Sequence, residues 1–267
     1  MLQIWTVCNQ KGGVGKTTTT VALGGLLAGH GERVLLIDFD PHASMTAYFG
    51  HDPDTIKRSA YELFQYQGEL PPGLLEELAI DTGFDNLALL PASISLATLD
   101  RQLGGVEGVG TILTRALIAA REKFDFVLID CPPILGVLMV NALAACHHLL
   151  IPVQTDFLAT KGMERMLHTL DMVNATRGQK VPYTIVPTMY DKRTHASLAA
   201  LHELKKHYEQ YLWDGVIPGD TKFRDASNNH VPPGQFAPSS RGVRAYKRLL
   251  KAMLDGSLAR RSEAVSA

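Results

Sequence analysis

The segment Lys11-Gly12-Gly13-Val14-Gly15-Lys16-Thr17 sets three glycines between two lysines and ends on a hydroxyl. That combination suits a polyphosphate. Glycines let backbone N–H groups turn inward and wrap phosphate oxygens, an approach that side chains would block. A helix that follows directly presents its N-terminus to the same anion. In this reading Gly12, Gly13, Val14 and Gly15 form the wrap and Lys16 neutralises the β- and γ-phosphates. Thr17 supplies a hydroxyl to Mg²⁺, and Thr18 is placed to donate to a further phosphate oxygen. The strict form of such a loop carries glycine where Gln10 stands, and this chain adds Lys11. Lys11 precedes the turn and is poorly placed to fold back onto its own phosphates. Its ammonium is free to reach the nucleotide of a second subunit.

Carboxylates complete the chemistry. The run RVLLID ends on Asp38, with Asp40 two residues on, and FDFVLID ends on Asp130. Ligands gather at the carboxyl ends of parallel strands. A carboxylate near the γ-phosphate can hold Mg²⁺ or orient the attacking water. Asp130 is expected in the Mg²⁺ shell, and Asp38 is assigned there with it. The competing reading of Asp38 is an aspartate that organises the following turn. Asp40, just past its strand, is the better candidate for positioning water. Cys131 reads as a small buried residue rather than a reactive thiol, because nothing basic adjoins it.

These residues need a frame. Apolar runs at Leu2 to Cys8, Arg33 to Asp38, Asn86 to Leu90, Phe124 to Asp130, His148 to Val153, Pro182 to Pro187 and Leu212 to Ile217 read as strands. A helix is expected from Lys16 to about Ala28, ended by Gly29-His30-Gly31. Continuous apolar runs separated by helices predict an α/β fold, a doubly wound, mostly parallel sheet covered on both faces. Phe49 to Gly83 is polar and broken by Pro71-Pro72-Gly73, and reads as short surface helices. Leu103 to Gly110 reads as a glycine-rich loop before a helix at 111–122. One domain over 1–256 and a disordered tail over 257–267 are expected.

Bulk composition agrees. The 267 residues are 46% hydrophobic and 20% charged, enough to bury one large core. A net charge of −1 gives no global basic field, so any nucleic-acid contact must come from a local patch. The three cysteines Cys8, Cys131 and Cys146 make no metal spacing and suit a reducing compartment. No signal peptide precedes the first strand, and no apolar run approaches the roughly 18 residues of a membrane span. A cytoplasmic protein is the expectation.

KGGVGKTTT, LLIDFDP and FVLIDCPP, in this order and spacing, resemble the ParA/Soj/MinD family of deviant Walker A ATPases. IPVQTDFLATKG at 151–162, PTMYDKRT at 187–194, IPGDTKFRDA at 217–226 and SRGVRAYKRLL at 240–250 extend the likeness over nearly the whole chain. The resemblance implies a homodimer that closes on two ATP molecules, slow hydrolysis, and an activating or adaptor protein. It implies that Lys11 crosses to the partner's nucleotide, that Asp40 activates water, and that Asp130 is the Walker B aspartate. It places Thr188, Met189 and Pro218 beside adenine. Lys161 stands where many DNA-segregating members carry an acidic residue. With YFGHDPD at 48–54 and VPTMYDKRTHAS at 186–197, this resembles the ParC-like subgroup that positions chemotaxis arrays at the cell pole. Positioning of such a cargo is the leading expectation, and chromosome or plasmid partitioning on non-specific DNA is the alternative.

Lys205, Lys206, Lys222, Arg224 and the helix from about Arg241 make the C-terminal third locally basic. They read either as a non-specific DNA face or as solvated helix surfaces. The helix at 241–254 carries an apolar side and is expected to pack on the domain rather than insert in a membrane. The rival class is a metabolic ATP-dependent synthase on the same fold. A cluster-carrying reductase fails, because no cysteine lies between Cys8 and Cys131.

Overall fold

The structure is a computed structural model that describes residues 1–66, 69–106, 108–157 and 159–256. Seven strands form one sheet: β1 Gln3–Val7, β2 Val34–Asp38, β3 Ile80–Phe84, β4 Leu87–Leu90, β5 Phe126–Asp130, β6 His148–Gln154 and β7 Tyr183–Thr188. Their order is β3-β4-β2-β5-β1-β6-β7, and every pair is parallel except β3 with β4. The helices in chain order are α1 Lys16–Gly29, α2 Ser44–Tyr48, α3 Leu74–Leu78, α4 Leu99–Leu103, α5 Ile112–Ala119, α6 Val137–Ala145, α7 Ala159–Arg177, α8 His195–Tyr208, α9 Lys222–Asn228, α10 Pro233–Phe236 and α11 Arg241–Leu254. The expected doubly wound frame is present.

The apolar runs are continuous because both faces of the sheet are covered. Side chains alternate between two cores. Leu35, Ile37, Val127 and Ile129 join one, and Val34, Leu36, Phe126 and Leu128 join the other. The second core is closed by α1 and α11. Gly24 and Gly25 sit mid-helix in α1, each at a cost of roughly 1 kcal/mol against alanine. Packing requires them. A Cβ at Gly24 would lie 2.5 Å from Leu36, and one at Gly25 would lie 2.6 Å from Pro232. The apolar side of α11 is buried through Val243, Tyr246, Leu249 and Leu250, and Tyr246 Oη meets Thr19 Oγ1 at 2.8 Å. The helix is thus packed, as expected, and among the described residues no helix is long and apolar enough to cross a membrane.

Three expectations need correction. Leu212 to Ile217 is not a strand. It follows β7 through Trp213 N to Ile185 O at 3.0 Å and Ile217 N to Pro187 O at 2.8 Å. Between them the chain bends so that the Trp213 ring covers Gly215, leaving only isolated bridges. Conversely, β3 forms inside the stretch read as short helices. Its alternating half-exposed pattern is that of an antiparallel edge strand. That stretch is also not confined to the surface, since Leu63, Phe64, Leu74, Leu75 and Leu78 are buried in the first core. Before α5, which covers 112–119 rather than 111–122, Val109–Thr111 adds a short 3-10 turn. The expected tail over 257–267 lies outside the described residues.

Candidate functional site

β1 lies inside the sheet between β5 and β6, with β2, β4 and β3 beyond β5 and β7 beyond β6. The glycine loop leaves its carboxyl end at this reversal of winding, where open α/β sheets bind ligands. Gly13 and Gly15 hold φ of +72° and +89°, the left-handed region that glycine alone adopts without strain. A Cβ at Gly12 or Gly13 would meet nothing within 4 Å. Gly15 caps α1 with no side-chain hydrogen bond, so the first-turn N–H groups are left for an anion. Thr188 Oγ1 donates to Val14 O at 2.8 Å and fixes the loop to the end of β7.

The two lysines are separated. Lys16 is buried beneath the loop, its Nζ 3.4 Å from Lys11 O. Lys11 points to the β6–α7 connection, where its Nζ lies 2.7 and 2.9 Å from the two oxygens of Asp156. The residues before it are tied to the same region. Asn9 Nδ2 donates to Pro152 O at 2.8 Å, and Asn9 Oδ1 accepts from Lys11 N at 3.0 Å. Gln10 donates to Thr169 Oγ1 of α7 at 2.7 Å. This gives a use for glutamine where the strict loop carries glycine. Gly162 completes the contact, since a Cβ there would lie 2.7 Å from Lys11 Cβ.

Asp38 and Asp130 are register partners on adjacent strands, both buried. Their environments differ. Asp38 Oδ2 accepts from Thr46 N and Thr46 Oγ1, each at 2.8 Å, and Oδ1 accepts from Asp40 N at 3.2 Å. Asp38 therefore organises the turn into α2, and burial pushes its carboxyl up to about 6. Asp130 Oδ2 accepts from Thr17 Oγ1 at 2.6 Å, while Oδ1 is buried with no hydrogen-bond partner. Burial, then repulsion from Asp38, push the Asp130 carboxyl well above its ordinary range. An orphaned buried oxygen beside a hydroxyl and a lysine fits Mg²⁺, which binds through one or two carboxylates, waters and substrate phosphates rather than an all-protein cage. Asp40 Oδ1 accepts from His42 N at 3.0 Å and lies 2.8 Å from His42 Nδ1.

A cavity of about 660 Å³ adjoins the loop. It brings together Gly15, Thr17, Thr18, Thr188, Met189 and Pro218, all named from the sequence. It also takes in Tyr48, Asp220, Phe223 and Tyr246, which sequence reasoning missed. Met189 holds φ of +53°, an uncommon conformation for a residue with a side chain, at the cavity wall. Arg224, exposed on α9, also lines this cavity.

The other basic residues divide between the two faces of the sheet. Leu204 anchors α8, which carries exposed Lys205 and Lys206, in the first core. Phe223 and Val243 set α9 and α11 against the second. Lys222 is paired with Asp225 at 2.9 Å, and Arg241, Arg244, Lys247, Arg248 and Lys251 are exposed along α11. Cys131 is fully buried with its thiol pushed up by burial, as expected of a structural residue.

Comparison with known proteins gives the family. A family model described as an AAA domain matches residues 2–182. The sporulation initiation inhibitor protein Soj of Bacillus subtilis is 34% identical over 252 residues, covering 94% of this chain and 98% of that protein. The chromosome partitioning protein ParA of Caulobacter vibrioides is 32% identical over 266 residues, 98% of each. A crystal structure of cobyrinic acid a,c-diamide synthase from Mycobacterium smegmatis with a bound ATP analogue and magnesium is similar at TM-score 0.80 and 34% identity, covering 96% of each chain. Loop, aspartates and end-to-end likeness agree: the chain belongs to the ParA/Soj family of ATPases.

Proposed function

We propose that this chain is a partitioning ATPase that closes as a homodimer on two ATP molecules, holds non-specific DNA while closed, and releases it on hydrolysis. The observation that carries the dimer is the division of the lysines. Lys16 serves its own loop, whereas Lys11 sits outside it on Asp156. A lysine held on Asp156, away from its own loop, is available to a second copy. The cargo reading rests on relatives named for chromosome partitioning that match this chain end to end. These relatives favour the DNA-based reading over the array-positioning one.

In this reading Gly12 to Gly15 wrap the phosphates and Lys16 neutralises them. Thr17 and Asp130 would hold Mg²⁺, which when bound would neutralise charge on the γ-phosphoryl. Asp40 orients the water that attacks in line, and Lys11 of the second copy stabilises the transition state. Thr188, Met189 and Pro218 flank the base. Asp38 shapes the turn that carries Asp40 rather than meeting the metal directly. The competing reading is amide synthesis, as the name of the Mycobacterium smegmatis relative states for that protein. Phosphate release with water as the sole acceptor separates the two.

Sedimentation velocity with ATP and with ADP tests the proposal. Wild type should dimerise with ATP alone, Lys11→Ala should remain monomeric, and Asp40→Ala should dimerise and turn over at least tenfold more slowly. An ATP-independent monomer, or rapid turnover by Asp40→Ala, contradicts it.

A further inference from the structure

Lys11 cannot be in two places. Its ammonium makes a two-oxygen contact with Asp156 of its own copy, and a lysine that serves a nucleotide held by a second copy has to leave that contact. We propose that Asp156 is the resting seat of Lys11, and that release from this carboxylate sets the ATP concentration at which two copies close. The inference rests on the reading that Lys11 crosses the dimer interface.

Three features make this a built contact rather than a chance surface pair. Lys11 and Asp156 are 145 residues apart in sequence and are brought together by the sheet order β1-β6. The segment before the lysine is fastened to the two elements that flank Asp156, to β6 by Asn9 Nδ2 to Pro152 O and to α7 by Gln10 Nε2 to Thr169 Oγ1. Gly162, at the start of α7, admits the Lys11 side chain where any Cβ would obstruct it. The side chains are 24% and 35% exposed, so solvent screens the pair only in part. An anchored, partly buried pair of this kind is strong enough to bias an equilibrium and weak enough for a polyphosphate to displace.

Displacement is a population shift. A seat occupied only in the open monomer stabilises that state, and more ligand is then required to populate the closed one. Removing the seat should therefore lower the ATP requirement rather than raise it. A residue that merely supported the loop would do the opposite.

The test titrates ATP against dimer formation, followed by energy transfer between two separately labelled populations of the full chain. Asp156→Asn should move the midpoint to an ATP concentration about threefold lower or less, within the range expected of a partly exposed ion pair. Asp156→Ala should shift the same way. A midpoint that is unchanged or higher in both overturns the inference. A second measurement needs no variant. With ADP bound, Lys11 of the wild type should be acylated at least threefold more slowly than exposed Lys205 and Lys206, and equal rates overturn the seat. Lys11→Ala separates the two levels of inference. If it dimerises like wild type, the crossing-lysine reading fails and the seat with it. If it stays monomeric while the Asp156 variants are unshifted, only the seat fails.

Discussion

Thr17 Oγ1 donates to Asp130 Oδ2 at 2.6 Å, joining the end of the phosphate loop to the end of β5 across 113 residues of sequence. The other oxygen of Asp130 is buried with no partner. Thr17 therefore fixes one oxygen of a carboxyl group whose second oxygen has no partner among the described residues. In the free protein that oxygen is an energetic liability, since a buried unpaired acceptor costs roughly 1–3 kcal/mol. The liability falls where a divalent ion would relieve it.

Asp130→Asn should therefore separate stability from function. Replacing a buried carboxyl that faces Asp38 is expected to raise the melting temperature of the nucleotide-free protein. The same change should remove the extra stabilisation by Mg²⁺-ATP. Calorimetric melting with and without Mg²⁺-ATP checks both, and a nucleotide-free variant that melts below wild type contradicts the reading.

Gly162→Ala places a Cβ 2.7 Å from Lys11 Cβ and 3.0 Å from Asn9 Oδ1. Neither neighbour can yield freely, because Asn9 is anchored to Pro152 O. The expected outcome is a loss of ATP affinity of at least threefold in a protein that still folds. Isothermal titration with Mg²⁺-ATP measures it, and unchanged affinity contradicts the close approach.

Much of this site was legible before the fold was. The glycine loop, Asp38, Asp40 and Asp130 are local signals, each a residue type at a strand end or in a tight turn. Asp156 obeys the same rule at the end of β6, but Gln154 and Thr155 stand between it and the apolar run and hide it. Tyr48 and Phe223 were not legible, because pairing residues so far apart requires the sheet order. The strand β3 was missed because Asp81 and Gly83 are poor strand formers, and only pairing with β4 makes them one. Leu212 to Ile217 reads as a strand by its apolar composition, although Asp214 and Gly215 lie at the bend. The basic residues looked like one cluster because sequence shows neighbourhood but not which face of a sheet a helix covers.

Tyr246→Phe tests how α11 is held. Its hydroxyl meets Thr19 Oγ1 at 2.8 Å in a fully buried position. Losing one buried partner while leaving the other is expected to destabilise by about 1–2 kcal/mol. Urea unfolding measures this, and a variant as stable as wild type contradicts it.

His148 gives a pH dependence of definite sign. Burial holds its imidazole down at about 4, and its ring Nε2 lies 2.9 Å from Thr184 Oγ1. An unfolded histidine titrates near 6.5. The unfolded chain therefore takes up a proton below about pH 6.5 that the folded chain refuses. This contribution to stability is present above that pH and is lost as pH falls toward 4, on the order of 3 kcal/mol in all. Unfolding free energies between pH 7 and pH 4 should fall more steeply for wild type than for His148→Gln, and parallel curves contradict the assignment.

The measurement that tests the partitioning reading most directly is binding of the purified chain to non-specific duplex DNA. It is made with ATP and with ADP, for wild type and Lys16→Ala, across a salt series. The expected result is binding with ATP alone, weakening steeply as salt rises because phosphate contacts release counterions, and lost in Lys16→Ala. A protein that ATP drives into dimers, yet that leaves DNA unbound even at low salt, contradicts it.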